Sequence, residues 1–155
     1  MVALLDVNVL IALFEPHHVH HEIAHDWFED QRGAGWATCP VTENGFVRVV
    51  TNPSFANPPN RPVDIVHKLA VLRQSGQHHF WADSLTLTDE RVFNTALIRG
   101  HKQVTDIYLL GLAKKQGGSL ATFDRSIPLA AVKGATKANL QVISAVPGES
   151  SSGDR

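Results

Sequence analysis

The sequence predicts an α/β domain with a mainly parallel sheet of about five strands flanked by helices. Short apolar runs alternate along the chain with longer segments in which apolar residues recur every three or four positions. With 155 residues, of which 43% are hydrophobic, the chain has material for one hydrophobic core but not for two full domains. The sequence contains no internal repeat and no linker long enough to divide the domain.

Each predicted strand is a short run rich in apolar residues. The first run, Val-Ala-Leu-Leu, is wholly apolar, which is typical of a strand that is buried on both faces. The predicted strands lie at residues 2–5, 36–39, 79–81, 119–123 and 141–144.

The predicted helices carry apolar residues at helical spacing, and proline or glycine marks several of their ends. Pro40 suits the first turn of a helix, and Gly117 and Gly118 end another. Thr88 is predicted to cap a helix because its hydroxyl can accept an unpaired backbone N–H. The predicted helices lie at residues 8–14, 20–31, 40–50, 62–74, 88–98 and 104–116. Four prolines in residues 51–62 predict a loop there.

Composition limits the classes of function. The net charge of −1 argues against a polyanion-binding protein that works by overall charge alone, although bound metal ions could reverse the sign locally. The single cysteine, Cys39, excludes an intramolecular disulfide and fits a reducing compartment. The apolar opening segment contains Asp6 and ends well short of the ~20 residues of a membrane span. We therefore expect a cytoplasmic protein with no membrane segment, a domain over residues 1–147 and a disordered tail at 148–155.

Four carboxylates fall where predicted strands meet the helices that follow them. Asp6 and Asp124 each end an apolar strand. Glu43 falls in about the first turn of the helix after the second strand, and Asp106 opens the central apolar helix. In open parallel sheets, ligand sites lie at the carboxyl ends of strands and at the N-termini of adjoining helices. We therefore expect the four side chains to converge on one edge of the sheet.

Such convergence would be unfavourable without a cation, because like charges raise one another's pKa. Mg²⁺ or Mn²⁺ would resolve the conflict, since hard cations bind carboxylate oxygens and keep several waters. A bound divalent ion lowers the pKa of its water and neutralises charge on a phosphoryl transition state. Any one of these acids could instead be a helix cap or a turn residue, so the prediction depends on the joint pattern.

The order of these residues resembles the PIN-domain pattern. The stretches LLDVNVLIALF and LATFDRSI carry the resemblance most specifically, and Glu43 and the pair Thr105-Asp106 lie between them. The resemblance covers residues 2 to about 144. The short single-domain length and the histidine-rich second helix are similar to those of the bacterial VapC toxins, which are paired with a cognate antitoxin.

The resemblance implies a PIN-like parallel sheet and a metal-dependent ribonuclease that cuts single-stranded RNA. It implies that four acids bind Mg²⁺ or Mn²⁺ and carry catalysis, namely Asp6, Glu43, Asp106 and Asp124. Asn8 and Thr105 match the polar positions beside the first and third aspartates, and we interpret them as supporting residues that orient carboxylates or water. The implied partners are RNA, an antitoxin protein and a second copy of the chain in a homodimer.

Two further features are weaker. Arg125 follows the last acid and is a candidate for holding an RNA phosphate. Five of the nine histidines crowd residues 17–25, where a spacing of about one helical turn would allow a transition-metal site. Packing and surface roles are the favoured interpretation for these histidines.

Several other functions compete with the nuclease. A phosphatase of the haloacid-dehalogenase type also uses an aspartate after the first strand, but it needs a second carboxylate where this chain has Asn8. A receiver domain needs an acidic pair and a phospho-accepting aspartate, and the sequence offers no suitable pair. A catalytically silent PIN-like binding module would be expected to have lost one or more of the acids. A PIN nuclease of ordinary RNA processing, without an antitoxin, is barely separable by sequence; growth arrest on expression would distinguish the two.

Overall fold

The computed structural model describes residues 1–144 and contains one sheet of five short strands. The strands are β1 (Ala3–Leu5), β2 (Trp36–Thr38), β3 (His78–Phe80), β4 (Ser119–Thr122) and β5 (Leu140–Val142). The helices are α1 (Val7–Phe14), α2 (His21–Gln31), α3 (Pro40–Val50), α4 (Pro62–Leu72) and α5 (His101–Lys115). The strand order is β3-β2-β1-β4-β5, and every neighbouring pair is parallel. The predicted α/β class with a parallel sheet is confirmed.

The central strand β1 is buried on both faces. Ala3, Leu4 and Leu5 are all inaccessible to solvent. Leu5 packs in a core formed with α1 to α4, and Leu4 packs in a second core formed with α5. Because successive residues of a strand face opposite sides of the sheet, the apolar run creates one core on each side.

The pairing register brings the carboxyl ends of three strands to the same edge of the sheet. Leu4 of β1 is paired with Ala37 of β2, and Leu5 is paired with Ala121 of β4. The residues that follow these strands therefore begin side by side. This edge is the one where the acidic residues were expected.

The predicted helix at 88–98 is wrong, because local and tertiary hydrogen bonds occupy its backbone. The Thr88 N–H donates to the Thr86 hydroxyl, and the Arg91 N–H donates to the Asp89 carboxylate. Such side-chain bonds compete with a helix. Further along, Phe93 forms an antiparallel bridge with Val132, and only a short 3₁₀ turn follows at Thr95–Leu97.

The other differences concern element ends. Helix α5 begins at His101, three residues before the predicted start, so Asp106 lies in its second turn instead of opening it. Residues 51–61 form the predicted loop between α3 and α4. The expected tail at 148–155, and the last residues of the expected domain at 1–147, lie outside the described residues. Within residues 1–144, no helix combines the length and the apolar character needed to cross a membrane.

Candidate active site

Asp6 is held at the junction of β1 and α1 by two hydrogen bonds. Its Oδ1 accepts from the Val7 backbone N–H at 2.7 Å, which caps α1, and its Oδ2 accepts from the Thr122 hydroxyl at 3.0 Å. The residue is only 6% exposed. Burial raises the pKa of Asp6, and the nearby charge of Asp124 adds to this, although the two hydrogen bonds act in the opposite direction. The carboxylate is thus oriented but poorly solvated.

Asp106 shares this electrostatic environment. It is half-buried on α5. Its burial, and then the charges of Asp6 and Asp124, raise its pKa to about 6. No hydrogen bond offsets these effects. Three aspartates from distant parts of the chain are therefore close enough to repel one another at the end of the sheet.

Asp124 lies in a tight turn just after β4. Its Oδ1 accepts from the Ser126 N–H at 2.7 Å and from the Ser126 hydroxyl at 2.6 Å. Its own N–H donates to the Thr122 hydroxyl at 3.1 Å. Asp124 is therefore both a turn residue and a member of the aspartate group, because the hydrogen bonds of the turn fix the direction of its carboxylate.

Thr122 is a positioning residue that sequence reasoning missed. It is the last residue of β4, it is buried, and its hydroxyl joins the side chain of Asp6 to the backbone of Asp124. The available signal was a threonine two residues before an acid, a spacing at which a hydroxyl can accept the acid's backbone N–H. The partner across the strands could not be read without the register.

Glu43 is placed differently from the three aspartates. It lies in the first turn of α3, where its Oε2 accepts from the Thr38 hydroxyl at 2.6 Å and lies 3.5 Å from the Arg73 guanidinium. The charges that raise the pKa of Asp106 are those of Asp6 and Asp124, not that of Glu43. Glu43 therefore lies in the first turn of the helix after β2, as predicted, but the Arg73 guanidinium already lies beside its carboxylate.

A histidine supports the Glu43 contact from the edge strand. The Nε2 atom of His78 lies 2.8 Å from the Thr38 hydroxyl, whose single proton is directed to Glu43. The His78 ring must therefore donate from Nε2. Burial, and then the positive charge of Arg73, lower the pKa of His78 to about 4, which keeps the ring neutral.

The aspartate group has the chemistry of a site for a hard divalent cation. Its donors are carboxylate oxygens that repel one another, and no positive side chain is among the groups that shift the pKa values of Asp6 and Asp106. Within residues 1–144, no three Asp, Glu, His or Cys side chains are close enough together to form a preassembled metal site. The donor types fit Mg²⁺ or Mn²⁺, and the cation would have to draw the carboxylates together.

The remaining predicted residues lie next to these aspartates in the sequence or in the first turn of α1. Asn8, in the first turn of α1, is exposed, and so are Thr105 and Arg125, which adjoin Asp106 and Asp124 in sequence. In the part of the chain that the structure describes, none of the three donates a hydrogen bond to a carboxylate of the group. Their roles stay predictions.

Comparisons with known proteins identify the family. The model of the PIN domain family matches residues 3–133. The chain is 42% identical over 146 residues to Ribonuclease VapC44 of Mycobacterium tuberculosis, covering 92% of this chain and 100% of the relative. It is 46% identical over 125 residues to Ribonuclease VapC38 of the same organism, covering 81% and 86% of the two chains.

Solved structures share the fold at low sequence identity. The crystal structure of Mycobacterium tuberculosis VapC20, a toxin that cleaves the sarcin-ricin loop, has a TM-score of 0.57 at 13% identity and covers 87% of this chain and 97% of that one. A crystal structure of VapBC2 from Rickettsia felis bound to a promoter DNA fragment has a TM-score of 0.53 at 13% identity, with 81% and 90% covered. The PIN-like fold predicted from sequence is thus confirmed, and the chain belongs to the PIN-domain family and, within it, to the VapC ribonucleases.

Proposed function

We propose that this protein is a Mg²⁺- or Mn²⁺-dependent endoribonuclease toxin that hydrolyses phosphodiester bonds of RNA and is neutralised by a cognate antitoxin. The observation that carries the proposal is the group of three mutually repelling aspartates at the carboxyl edge of the sheet. The 42% identity to a VapC ribonuclease over almost the whole chain supports the reaction class.

Each acid has a role in this proposal. Asp6, Asp106 and Asp124 bind the divalent ion, and Glu43 completes the acidic edge from α3. When bound, the ion supplies a water of lowered pKa and neutralises charge on the phosphate being attacked. The Thr122 hydroxyl donates a hydrogen bond to one oxygen of Asp6 and so fixes the direction of that carboxylate. Asn8 and Thr105 orient carboxylates or water.

RNA binding depends on the same charges. Bare carboxylates repel phosphate, so RNA should bind productively only with the cation present. Arg125, exposed beside Asp124, is proposed to hold a neighbouring phosphate. The net charge of −1 means that binding cannot rest on overall attraction.

The proposal is tested by cleavage with purified protein, followed by mapping of the RNA ends. EDTA should abolish cleavage and Mg²⁺ or Mn²⁺ should restore it, with Ca²⁺ a poor substitute because its looser geometry positions water badly. Asp6→Asn should lower cleavage by orders of magnitude while the chain stays folded, because it removes a metal-binding charge from a similar shape. Asp26→Asn, which changes an exposed aspartate on α2, is the matched control and should cleave normally. Undiminished cleavage in excess chelator, or by a folded Asp6→Asn protein, would overturn the mechanism.

Two surfaces of the domain suit the proposed antitoxin. A basic residue of an antitoxin would pair with the acidic edge and displace the cation. An apolar helix of the antitoxin would lie in a groove of about 430 Å³ between α1, α2, α3 and α4, whose apolar lining is Leu10, Leu13, Phe14, Phe28, Phe46, Leu69 and Leu72. We also propose a homodimer and a cytoplasmic location.

A further inference from the structure

The histidine-rich segment divides into two groups with different surroundings. His21 and His25 on α2 donate ring N–H groups to the carbonyl oxygens of Ala12 and Leu13, at 2.7 and 2.9 Å. These are two of the last carbonyls of α1, which have no partner within the helix. This pair therefore has a structural role, even though His21-Glu22-Ile23-Ala24-His25 has the His-Glu-x-x-His spacing of zinc enzymes.

The other group, His18 and His20, stacks on Phe123. The His20 ring centroid lies 4.5 Å from that of Phe123 with an interplanar angle of 28°, and the His18 centroid lies 6.2 Å away with an angle of 25°. All three side chains are half-buried, so each keeps part of its surface open to solvent. We call this group the aromatic ledge.

The position of the aromatic ledge is set by β4. Phe123 lies between Thr122, which bonds Asp6, and Asp124, which belongs to the aspartate group. The ledge is therefore joined by adjacent backbone to the residues that hold the acidic edge. Neither α1 nor α2 contains His18 or His20, so the connecting segment between these helices carries them to the end of the sheet.

The ledge is held in place by a hydrogen bond within the segment. The His20 backbone N–H donates to Nδ1 of His18 at 3.0 Å, which fixes the His18 ring and places its neutral-form proton on Nε2. Burial, and then the neighbouring His20 and the more distant His21, lower the pKa of His18, although Glu15 acts in the opposite direction. No group of three metal-binding side chains occurs here within residues 1–144. A preordered aromatic surface without a metal-binding group suits a flat ligand better than a metal.

We propose that the aromatic ledge of His18, His20 and Phe123 stacks a nucleobase of single-stranded RNA beside the phosphate that the aspartates cleave. This inference rests on the proposed ribonuclease function. Unpaired bases commonly stack on Phe and His side chains, and such stacking tolerates different sequences because every base has a π-face. The ledge thus sets where the RNA strand lies relative to the acidic edge, which repels the RNA backbone.

The experiment measures RNA binding at saturating Mg²⁺ with Asp6→Asn in every protein, so that the probe stays intact while the cation is still supplied to the other aspartates. The probe is a fluorescein-labelled oligoadenylate of about ten nucleotides, within the usual site sizes for single strands, and its partner has abasic sites at the central nucleotides. His20→Ala should weaken binding of the oligoadenylate about tenfold and leave binding of the abasic RNA unchanged. His20→Phe should restore most of the affinity, because it keeps the stacking ring without the imidazole nitrogens.

His17→Ala is the matched control, since His17 is exposed in the same segment, lies outside the ledge and should have no effect. Urea denaturation of each variant separates a loss of binding from a loss of fold. Equal weakening with both RNAs, failure of His20→Phe to restore binding, or no weakening by His20→Ala would overturn the ledge while leaving wild-type cleavage intact. Absence of cleavage by the wild-type protein would instead overturn the proposed function.

Discussion

At the scale of single residues, a small number of polar contacts orients the carboxylates of the site. Asp6 has one oxygen on a backbone N–H and the other on the Thr122 hydroxyl, and that hydroxyl also accepts the Asp124 N–H. One buried hydroxyl thus fixes two aspartates that come from strands more than a hundred residues apart in sequence. Residues that orient metal-binding side chains typically matter ten- to a hundredfold for activity.

We expect Thr122→Val to lower cleavage about ten- to a hundredfold, because the isosteric side chain can neither donate to Asp6 nor accept from Asp124. The part-buried Asp124 N–H would lose its partner, at a cost of about 1 kcal/mol in the free energy of unfolding. Thr122→Ser keeps the hydroxyl and is the matched control. Cleavage assays at saturating Mn²⁺ and urea denaturation check both parts. A folded Thr122→Val protein that cleaves as fast as Thr122→Ser would refute the positioning role.

The raised pKa of Asp106 predicts a pH-dependent stability. Its pKa in the folded chain, about 6, exceeds the ordinary value of 3.8. The stabilisation from its protonated form is therefore complete below about pH 4 and is lost as the pH rises through about 6. Asp106→Asn is neutral throughout, so in EDTA it should be about 1 kcal/mol more stable than wild type near neutral pH, after a discount for solvent screening.

Urea denaturation in EDTA at about pH 4 and about pH 7.5 measures this difference directly. The advantage of Asp106→Asn should shrink towards acid pH, and saturating Mg²⁺ should reverse it near neutral pH because only the wild type gains fully from the bound ion. A difference that is the same at both pH values would mean that burial and the charges of Asp6 and Asp124 do not raise this pKa.

At the scale of elements, the sequence predicted best where a single local rule decides the structure. The buried run of β1 and the strand before Asp124 could be read because a parallel strand between two helical layers must be apolar on both faces. The loop at 51–61 was readable from its prolines. The three aspartates followed from the general rule that ligands bind at the carboxyl ends of parallel strands.

The sequence predictions failed where contacts with distant segments decide the local structure. Residues 88–98 carry an apolar pattern that a helix could satisfy, but the backbone groups of Val92 and Asn94 bond to Lys133 and Ala131 instead. The sequence of residues 88–98 does not reveal these partners, because they lie far along the chain. The contact between Glu43 and Arg73 and the stacking of His20 on Phe123 were unreadable for the same reason, because each joins side chains that only the folded chain brings together.

The misassigned segment packs through one contact that can be tested. An added Cβ at Gly111 of α5 would lie 2.5 Å from the ring of Phe93, which is 2% exposed, so the ring or the helix would have to shift. Gly111→Ala should therefore destabilise the protein by about 1–3 kcal/mol, although alanine alone favours a helix by about 0.5–1 kcal/mol. Gly33→Ala, with nothing within 4 Å of the added Cβ, is the control for urea denaturation. If Gly111→Ala left the free energy of unfolding unchanged or raised it, Phe93 would not pack tightly against α5 at Gly111.

At the scale of the whole molecule, the acidic edge and the groove between α1, α2, α3 and α4 are the two surfaces at which the proposed antitoxin would act. In that proposal, the acidic edge is closed by a basic side chain and the groove is filled by an apolar helix. The groove also carries charge near its apolar lining, through Glu29, Arg32 and Lys68. Glu29 and Arg32 already form an ion pair of 3.0 Å, whereas Lys68 lies over the Phe14 ring at 5.3 Å.

These two surfaces predict that cleavage and neutralisation can be separated. Leu72 lines the groove at the end of α4 and is half-buried. Leu72→Lys places a charge among apolar side chains, so it should weaken binding of an antitoxin helix at least tenfold, while the acidic edge and RNA cleavage are untouched. Val66→Lys makes the same substitution at an exposed position on the same helix and is the matched control.

The measurement is growth of a bacterial host that expresses each variant with and without the small protein encoded beside it. Wild type and Val66→Lys should arrest growth alone and be rescued by the partner, which should co-purify with them and block cleavage. Leu72→Lys should arrest growth in both conditions. Rescue of Leu72→Lys as complete as that of wild type would place the antitoxin outside the groove. Harmless expression of active wild-type enzyme, with no partner recovered, would instead favour a nuclease of ordinary RNA processing, because an unrestrained toxin cannot be tolerated.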